Sequence, residues 1–247
     1  MAALHGLRID RVQLRATDAS RSARYWSWLA GTGADGGFVL DRDGRPLLEF
    51  RDAGVAGPAP GRAAGLFHVA LRFASRAALG AALERAGERG LHLTGASDHG
   101  VSEALYLRDP DGLGVELYWD RPREQWPQSI YSEPLDLTPL RAAAADDGAP
   151  VDVGHVHLSA SDLDASTAFW RDRVGFDLRQ ADPQASFLSA DGYHHHLAVN
   201  TWQTAGAAPA PFDRAGIERL VLEVDGRGDG VELDTPEGLL VAIRPRG

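Results

Sequence analysis

The chain has 247 residues, of which 44% are hydrophobic and 24% charged, so it can form one large soluble domain or two of ordinary size. Its formal net charge of -10 argues against general binding to nucleic acids or anionic membranes, because their phosphates would be repelled. It contains no cysteine, which excludes disulfides, thiolate nucleophiles, iron–sulfur clusters and cysteine-bound zinc.

Any metal must therefore be held by His, Asp or Glu. No stretch approaches the ~20 apolar residues that span a bilayer. The N-terminal residues MAALHGLRIDRV lack the basic segment and the apolar run of a signal peptide. Together with the absence of cysteine, these features predict a cytoplasmic protein without a secretory leader.

The first predicted elements recur later in the chain. Residues 9–31, IDRVQLRATDASRSARYWSWLAG, align with residues 153–175, VGHVHLSASDLDASTAFWRDRVG, at a constant offset of 144. Each copy shows a strand pattern, a Ser/Thr/Asp turn that can cap a helix, and then an amphipathic helix. The repeat predicts two domains of similar architecture that arose by duplication.

A second unit of the same kind follows within the first half. A helical pattern at 75–90 comes after its first strand, and an Asp-Pro-Asp-Gly turn joins its last two strands. The predicted elements are strand 44–50 of the first unit, then strand 65–73, helix 75–90, and strands 91–97, 102–109 and 113–120. The repeating unit is therefore βαβββ, used twice in each half.

The fourth unit departs from this pattern. Residues 216–224, GIERLVLEV, form a predicted strand, but DGRGDG at 225–230 leaves no room for a helix. We predict an α+β fold of two tandem domains, each of paired βαβββ units that form a cupped, barrel-like mixed sheet, with the fourth unit truncated. The predicted boundaries are 1–130 for the first domain, 131–150 for a connector with a short helix at 135–145, and 151–247 for the second domain.

Paired βαβββ units with His on first strands and Glu on last strands resemble the vicinal oxygen chelate superfamily. This group includes glyoxalase I, bleomycin-resistance proteins and type I extradiol dioxygenases. Residues 98–126, 154–176 and 187–202 resemble its catechol-2,3-dioxygenase branch, and the resemblance covers nearly the whole chain. It implies a divalent metal, first of all Fe(II) held by two His and one carboxylate, with Mn, Ni or Zn as alternatives.

The second half fills only part of the ligand set that this resemblance implies. His155 takes the first ligand position of unit three, and His195 matches the acid/base histidine. In unit four, Arg219 and Ala242 occupy the positions of the expected histidine and glutamate. Arginine cannot ligate a cation, because its guanidinium stays protonated and offers no lone pair.

The first half shows the reverse. His68 and Glu116 match the His and Glu ligand positions of unit two. Unit one has Arg11 in place of a histidine, whereas Glu49 falls where glyoxalase I-like members place a carboxylate ligand. The resemblance thus implies His68, Glu49 and Glu116 as a set of one His and two carboxylates. Alternatively, the carboxylates pair with arginines, and the arginines fill vacated metal positions or bind an anion.

A different arrangement divides the site between the two halves. Units two and three together carry His68, Glu116, His155 and His195, a full dioxygenase set if the units face each other within the chain or across a dimer. A separation of more than ~10 Å between the His68 and His155 rings would exclude this, since metal–nitrogen bonds are about 2.1 Å long.

The proton-transfer residue depends on where the site lies. The resemblance implies His195 for a site that involves the second half and His99 for a site in the first half, with His99 and Tyr106 at positions where the family keeps residues that support the metal ligands. In GYHHHLAVN, residues 192–200, strand alternation predicts that His194 and His196 face one side and His195 the other. The three histidines are therefore not expected to form one metal site.

Three classes of function are open. The first is a metalloenzyme, an extradiol dioxygenase or a related lyase or isomerase, acting on a small aromatic or other substrate with two vicinal oxygens. The second is a metal-free small-molecule binding protein of the bleomycin-resistance type. The third is a structural role, in which one half shields the other and supports a homodimer.

Overall fold

The computed structural model describes residues 4–226 and 229–246. The elements of the first half are β1 (Arg8–Arg15), α1 (Ala19–Ala30), β2 (Gly33–Asp35), β3 (Phe38–Leu40), β4 (Pro46–Arg51), β5 (Gly65–Phe73), α2 (Arg76–Glu88), β6 (Gly95–Asp98), β7 (Ser102–Arg108) and β8 (Gly114–Asp120). The connecting segment contains a 3₁₀ helix (Arg123–Gln125), β9 (Glu133–Pro134) and α3 (Leu137–Ala142). The elements of the second half are β10 (Val151–Ser159), α4 (Leu163–Ala168) with its π-helical continuation (Phe169–Val174), β11 (Asp177–Asp182), β12 (Ala185–Ser189), β13 (Leu197–Asn200), β14 (Gly216–Asp225), β15 (Val231–Asp234) and β16 (Leu240–Arg246).

The helices of units one and three begin and end alike, as their sequence repeat predicts. The Asp18 carboxylate caps α1 and the Asp162 carboxylate caps α4, each by accepting a backbone N–H of the first turn. Gly31 and Gly175 close the two helical segments with φ of 71° and 105°, in a left-handed region that glycine enters without steric cost. The repeated cap residues therefore fix the same helix length after the first strand of each half.

Two curled mixed sheets result, and each contains strands from both halves of the chain. The strand order is β11-β12-β13-β10-β5-β8-β7-β6-β9 in the nine-stranded sheet and β15-β16-β14-β1-β4-β3-β2 in the seven-stranded sheet. Strand β5 pairs antiparallel with β10, and β1 pairs antiparallel with β14. Unit two is therefore joined to unit three, and unit one to unit four.

The predicted fold class is confirmed: the protein is α+β, with paired βαβββ units in cupped mixed sheets and a shortened fourth unit. The expectation that each sheet would come from one half is corrected by the strand order, because hydrogen bonding joins β5 to β10 across the connector. The boundaries at 130 and 150 stay a prediction about the duplicated halves. Residues 227 and 228, within the DGRGDG segment, lie outside the described residues.

The central strand pairs of the two sheets have the same register. His157 on β10 lies opposite His68 on β5, and Gln13, which corresponds to His157 in the repeat, lies opposite Arg219 on β14. In both pairs the register shifts immediately after this position. The seven-stranded sheet therefore presents the same backbone positions as the nine-stranded sheet with different side chains.

A hydrophobic core lies between the sheets and the helices that cover them. The fully buried Trp26 of α1 and Trp170 of the α4 continuation are among its largest side chains. Across residues 4–226 and 229–246, no helix is long and apolar enough to cross a membrane.

Candidate metal centre

Three buried side chains converge at the middle of the nine-stranded sheet. His68 lies on β5, Glu116 on its parallel neighbour β8, and His155 on its antiparallel neighbour β10. The Nε2 atoms of His68 and His155 are 2.8 and 3.1 Å from the same Glu116 oxygen, Oε2, and 3.4 Å from each other. We call His68, Glu116 and His155 the ligand cluster, which takes two residues from the first half and one from the second.

Two glycines allow the strands to bring these side chains together. A Cβ on Gly114, two residues before Glu116, would collide with the Phe67 carbonyl oxygen and lie 3.0 Å from the His68 Cβ. A Cβ on Gly154, next to His155, would collide with the Tyr118 hydroxyl. The register of β10 shifts at Gly154, and such an irregularity re-aims the side chain that follows it.

The electrostatics of the cluster favour the protonation state that a cation needs. Burial alone would raise the pKa of Glu116, but His155 and His68 together hold it well below its ordinary value. Burial lowers the pKa of His155 below its ordinary value, although Glu116 opposes the shift. An ionised carboxylate beside a neutral imidazole is the deprotonated state in which these groups bind metals.

His155 is oriented by ring packing. Its Nδ1 is buried and has no hydrogen-bond partner in the part of the chain that the structure describes. Its ring instead lies 4.2 Å from the His195 ring and 4.9 Å from the Tyr118 ring, measured between centroids. The Nε2 atom of His155 points toward His68 and Glu116. Two imidazole nitrogens and one carboxylate oxygen therefore face a common point. This donor set suits Fe(II), Mn(II), Ni(II) or Zn(II).

A cavity of about 540 Å³ opens over the ligand cluster. Its volume lies within the usual range for small-molecule sites, roughly 300–1,000 Å³. Aromatic side chains contribute much of the wall, among them Phe67, Phe187, Tyr131 and the half-exposed Trp202. Aromatic side chains such as these can stack against a flat ring.

His99 and Tyr106 lie together on one side of this cavity. His99 Nε2 is 2.7 Å from the Tyr106 hydroxyl, and His99 Nδ1 is 2.8 Å from the Tyr131 carbonyl oxygen. Burial raises the pKa of Tyr106 well above its ordinary value, and the Glu116 carboxylate adds to the shift. Tyr106 therefore remains a neutral phenol beside the ligand cluster.

His195 also lines the cavity, next to His155. Burial lowers the pKa of His195 well below its ordinary value, and the neighbouring histidines lower it further. Residues 193–196 precede β13 and are not part of the strand, so the predicted alternation of His194, His195 and His196 does not apply. The Nδ1 atoms of His194 and His195 are instead 2.7 Å apart.

His157 is a cavity residue that the sequence analysis missed. It lies on β10 two residues after His155, and its ring centroid is 4.9 Å from that of His68. Strand alternation was the available signal, since residues two apart on a strand share a face. Asn200 Nδ2 lies 2.9 Å from His157 Nε2.

A curated relative resembles most of the chain. It is the catechol-2,3-dioxygenase of Bacillus subtilis (strain 168), 40% identical over 194 residues, which cover 72% of this chain and 68% of the relative. The chain belongs to the vicinal oxygen chelate superfamily. Within this superfamily it lies in the catechol-2,3-dioxygenase-like branch. No protein-family model matches the chain.

Solved structures agree on the vicinal oxygen chelate fold. A candidate dioxygenase from Bacillus subtilis aligns with a TM-score of 0.58 and 11% identity, covering 100% of this chain and 87% of that one. Glyoxalase I from Zea mays aligns with a TM-score of 0.57 and 15% identity, covering 97% and 92%. At these identities the likeness shows the architecture alone.

The structure places Glu49 away from the ligand cluster. Glu49 lies on β4 of the seven-stranded sheet, where Gln13 Nε2 and Arg51 Nε donate to its two carboxylate oxygens at 2.7 and 2.8 Å. The Arg11 guanidinium is 3.7 Å from the Glu49 carboxylate. In the same sheet, Arg219 pairs with Glu232 at 2.7 Å. The expected set of His68, Glu49 and Glu116 is therefore corrected, because strand pairing puts Glu49 in the other sheet, among arginines.

The arrangement divided between units two and three is the one that the structure assembles. The His68 and His155 ring centroids are 5.5 Å apart, well inside the ~10 Å limit set above. Arg11 and Arg219 take the alternative role of ion-pair partners, for Glu49 and Glu232 respectively. The superfamily positions that have lost their metal-binding side chains thus lie in the seven-stranded sheet. Those that keep such side chains lie in the nine-stranded sheet.

Proposed function

We propose that the protein is a divalent-metal-dependent dioxygenase of the extradiol type that cleaves a catechol ring. The observation that carries the proposal is the convergence of His68, Glu116 and His155 beneath an aromatic cavity, with His195 beside them. The catechol-2,3-dioxygenase relative supports the same reaction class. In such a reaction a ring C–C bond next to a hydroxyl-bearing carbon breaks, and both atoms of O₂ enter the product.

The ligand cluster would hold the metal, and Fe(II) suits it best. Two histidines and one carboxylate with open positions are typical of non-haem Fe(II) oxygenases. When bound, the ion supplies Lewis acidity toward two vicinal oxygens and, as iron, redox chemistry.

The chain's own residues prepare the substrate. The aromatic wall, including Phe67 and Trp202, positions the ring and excludes water. His195, a neutral base beside the cluster, takes the proton of a catechol hydroxyl. Tyr106 and His99 form a hydrogen-bonded pair in the cavity wall that can hold a substrate oxygen.

A second candidate function is a glyoxalase-like lyase or isomerase with the same metal site. The observation that favours it is the fold shared with glyoxalase I from Zea mays. His195 would then take a proton from one carbon of the substrate and return it to the neighbouring carbon, without O₂. A catechol-free assay with a 2-oxoaldehyde thiol adduct, run in parallel with the dioxygenase assay, separates the two reactions.

Metal loading of the full chain tests the proposal first. Metal-depleted protein is titrated with Fe(II), Mn(II), Ni(II) or Zn(II), and stoichiometry is read by elemental analysis. We expect a single ion per chain. His68→Ala and His155→Ala should each weaken binding by more than the roughly 10- to 100-fold that loss of an outer-shell partner costs. Glu49→Gln is the matched control and should leave stoichiometry and affinity unchanged.

Turnover is then measured on the Fe(II)-loaded chain with catechols under air. Appearance of the yellow ring-fission product, with uptake of one O₂ per catechol, is the expected result. Normal metal binding without ring fission of any catechol would contradict the dioxygenase assignment. Failure to bind any of the four metals would contradict both candidate enzymes and favour a metal-free binding protein.

A further inference from the structure

A hydrogen-bonded line of side chains runs away from the cavity behind His195. His195 Nδ1 is 2.7 Å from His194 Nδ1, and His194 Nε2 is 2.8 Å from Asp120 Oδ1. Asp120, at the end of β8, is further held by the Tyr193 hydroxyl, which donates to Oδ2 at 2.7 Å, and by Arg72, 3.5 Å from Oδ2. Four polar groups, those of His194, Asp120, Tyr193 and Arg72, thus lie behind one cavity-facing ring.

Asp120 is an acceptor in this line. Burial would raise the pKa of Asp120, but His194, the Tyr193 hydroxyl and Arg72 together outweigh it and hold that pKa below its ordinary value. An ionised carboxylate has no proton to donate, so the proton between Asp120 and His194 is on His194 Nε2. The direction of the first hydrogen bond is therefore fixed.

The direction of the second bond follows from the first. In a neutral His194 ring with its proton on Nε2, Nδ1 has a free lone pair and can only accept. Two bare nitrogens 2.7 Å apart would repel each other, so His195 must carry its proton on Nδ1. His195 Nε2 is then left with its lone pair and makes no hydrogen bond to any of the described residues.

We propose that Asp120 and His194 are positioning residues that fix the tautomer of His195, so that its Nε2 presents a lone pair to the cavity. The inference rests on the proposed function for its catalytic meaning, since a lone pair at this place is what a general base for a catechol hydroxyl needs. The base abstracts the hydroxyl proton at Nε2, and the Nδ1–H bond to His194 holds the resulting imidazolium in place. Asp120 stabilises that charge through His194 without taking the proton.

Asp120→Asn is the decisive substitution. Arg72 faces Oδ2, so the amide oxygen of asparagine should take that position and its NH₂ should face His194. The NH₂ would then donate to His194 Nε2, which reverses both bonds and moves the His195 proton to Nε2. Asp152→Asn is the matched control, because Asp152 binds the same Arg72, at 2.6 Å, but makes no hydrogen bond or ion pair with a histidine in the described part of the chain.

Two readouts test the inference separately from the proposed function. The ¹⁵N NMR spectrum of the metal-free full chain, labelled at histidine, reports which nitrogen of His194 and His195 carries the proton. We expect Nε2–H on His194 and Nδ1–H on His195, with both reversed in Asp120→Asn and neither reversed in Asp152→Asn. On the Fe(II)-loaded chain, Asp120→Asn should lower kcat by roughly 10²- to 10⁴-fold with little change in KM.

The outcomes are distinguishable. A wild-type spectrum with the His195 proton on Nε2 overturns the inference, whatever the activity, and needs no variant to fold. Reversed tautomers in Asp120→Asn with unchanged kcat also overturn it, because the tautomer would not matter to catalysis. The expected tautomers in a chain that cleaves no catechol would uphold the geometry and reject the proposed function instead.

Discussion

At the scale of single residues, His157 extends the polar floor of the cavity beyond the ligand cluster. The Trp202 backbone N–H donates to the Asn200 side-chain oxygen at 3.2 Å, which directs the Asn200 NH₂ to His157 Nε2. Burial lowers the pKa of His157 well below its ordinary value, and His68 and His155 add to the shift. A neutral His157 therefore accepts at Nε2 and carries its hydrogen on Nδ1, as a donor for a ligand.

Replacing His157 with Phe should impair substrate binding more than metal binding. The ring volume is kept, but one neutral hydrogen bond, typically about 1 kcal/mol, is lost, so KM should rise roughly fivefold. Metal stoichiometry should stay that of the wild type. Steady-state kinetics on the Fe(II)-loaded chain check this, with the exposed His92→Phe as control. A His157→Phe chain with unchanged KM and lost metal would instead make His157 a ligand.

The burial of His196 predicts that acid lowers the free energy of unfolding. The Ala190 N–H donates to His196 Nδ1 at 3.2 Å, which requires an unprotonated nitrogen. Burial lowers the pKa of His196 to about 3, from 6.5. The other groups that act on it are His194, Arg72 and His155, which lower its pKa, and Asp191, which raises it.

The sign of the effect follows from proton uptake. Below pH 6.5 His196 is protonated in the unfolded chain, but in the folded chain it stays neutral down to about pH 3. The free energy of unfolding therefore falls as the pH drops through this window. The loss is up to about 1.4 kcal/mol per pH unit. Urea unfolding at pH 7 and pH 5 should show a smaller acid loss for His196→Asn than for the wild type. Equal losses in the two chains would contradict the shift.

At the scale of elements, the spacing between β5 and β8 sets the distance between His68 and Glu116. Gly114 permits that spacing, since a Cβ there would meet the Phe67 carbonyl. Gly114→Ala should therefore force the strands apart, at a cost of about 1–3 kcal/mol, and weaken metal binding. Denaturant unfolding and metal titration check both effects.

The control for this prediction is Gly33→Ala. Gly33 lies on β2 of the other sheet and has open space around its Cα, so the added methyl should change neither property. If Gly114→Ala binds metal as tightly as Gly33→Ala does, the strand spacing is not what holds the cluster together.

The elements themselves could largely be predicted from the sequence. Predicted strand 65–73 matches β5 (Gly65–Phe73), and predicted helix 75–90 contains α2 (Arg76–Glu88), because apolar periodicity and capping residues are local signals. The predicted strand alternation at 193–196 was wrong, because these residues precede β13 and His194 instead bonds both His195 and Asp120.

The pairing of the units could not be predicted. Each βαβββ unit exposes the edge of its first strand, and any other unit offers a matching edge, so the local sequence does not choose the partner. His68, Glu116, His155 and His195 were all candidates from motif positions, and the structure brings them together, while their roles stay predictions. Glu49 was misplaced because its role depends on which sheet its strand joins, a long-range property.

At the scale of the whole molecule, the ligand cluster ties the two halves together. Removing the metal with a chelator should therefore lower the thermal midpoint of the entire chain. At a free-metal concentration 100 times the Kd, binding contributes about 2.7 kcal/mol, which for a chain of this size corresponds to roughly 5–10 °C. Calorimetry with and without metal checks the shift, and His155→Asn should abolish it.

Hydrogen exchange distinguishes this coupling from a local effect of the metal. If the metal protected β5 and β8 from exchange but not β10, the two halves would not be coupled through the ligand cluster. Protection that rises in all three strands together is the expected result, because ligands on each of them contact the same ion.

The matching registers of the two sheets have a genetic consequence. Arg11, Arg219 and Ala242 occupy the backbone positions that His155, His68 and Glu116 occupy in the other sheet. In a symmetric dimer of half-length chains, one codon change at a ligand would alter both sites at once. Once the two copies are fused into one gene, a mutation changes only one of the two sites. One site can then lose its ligands and form ion pairs while selection still preserves the other.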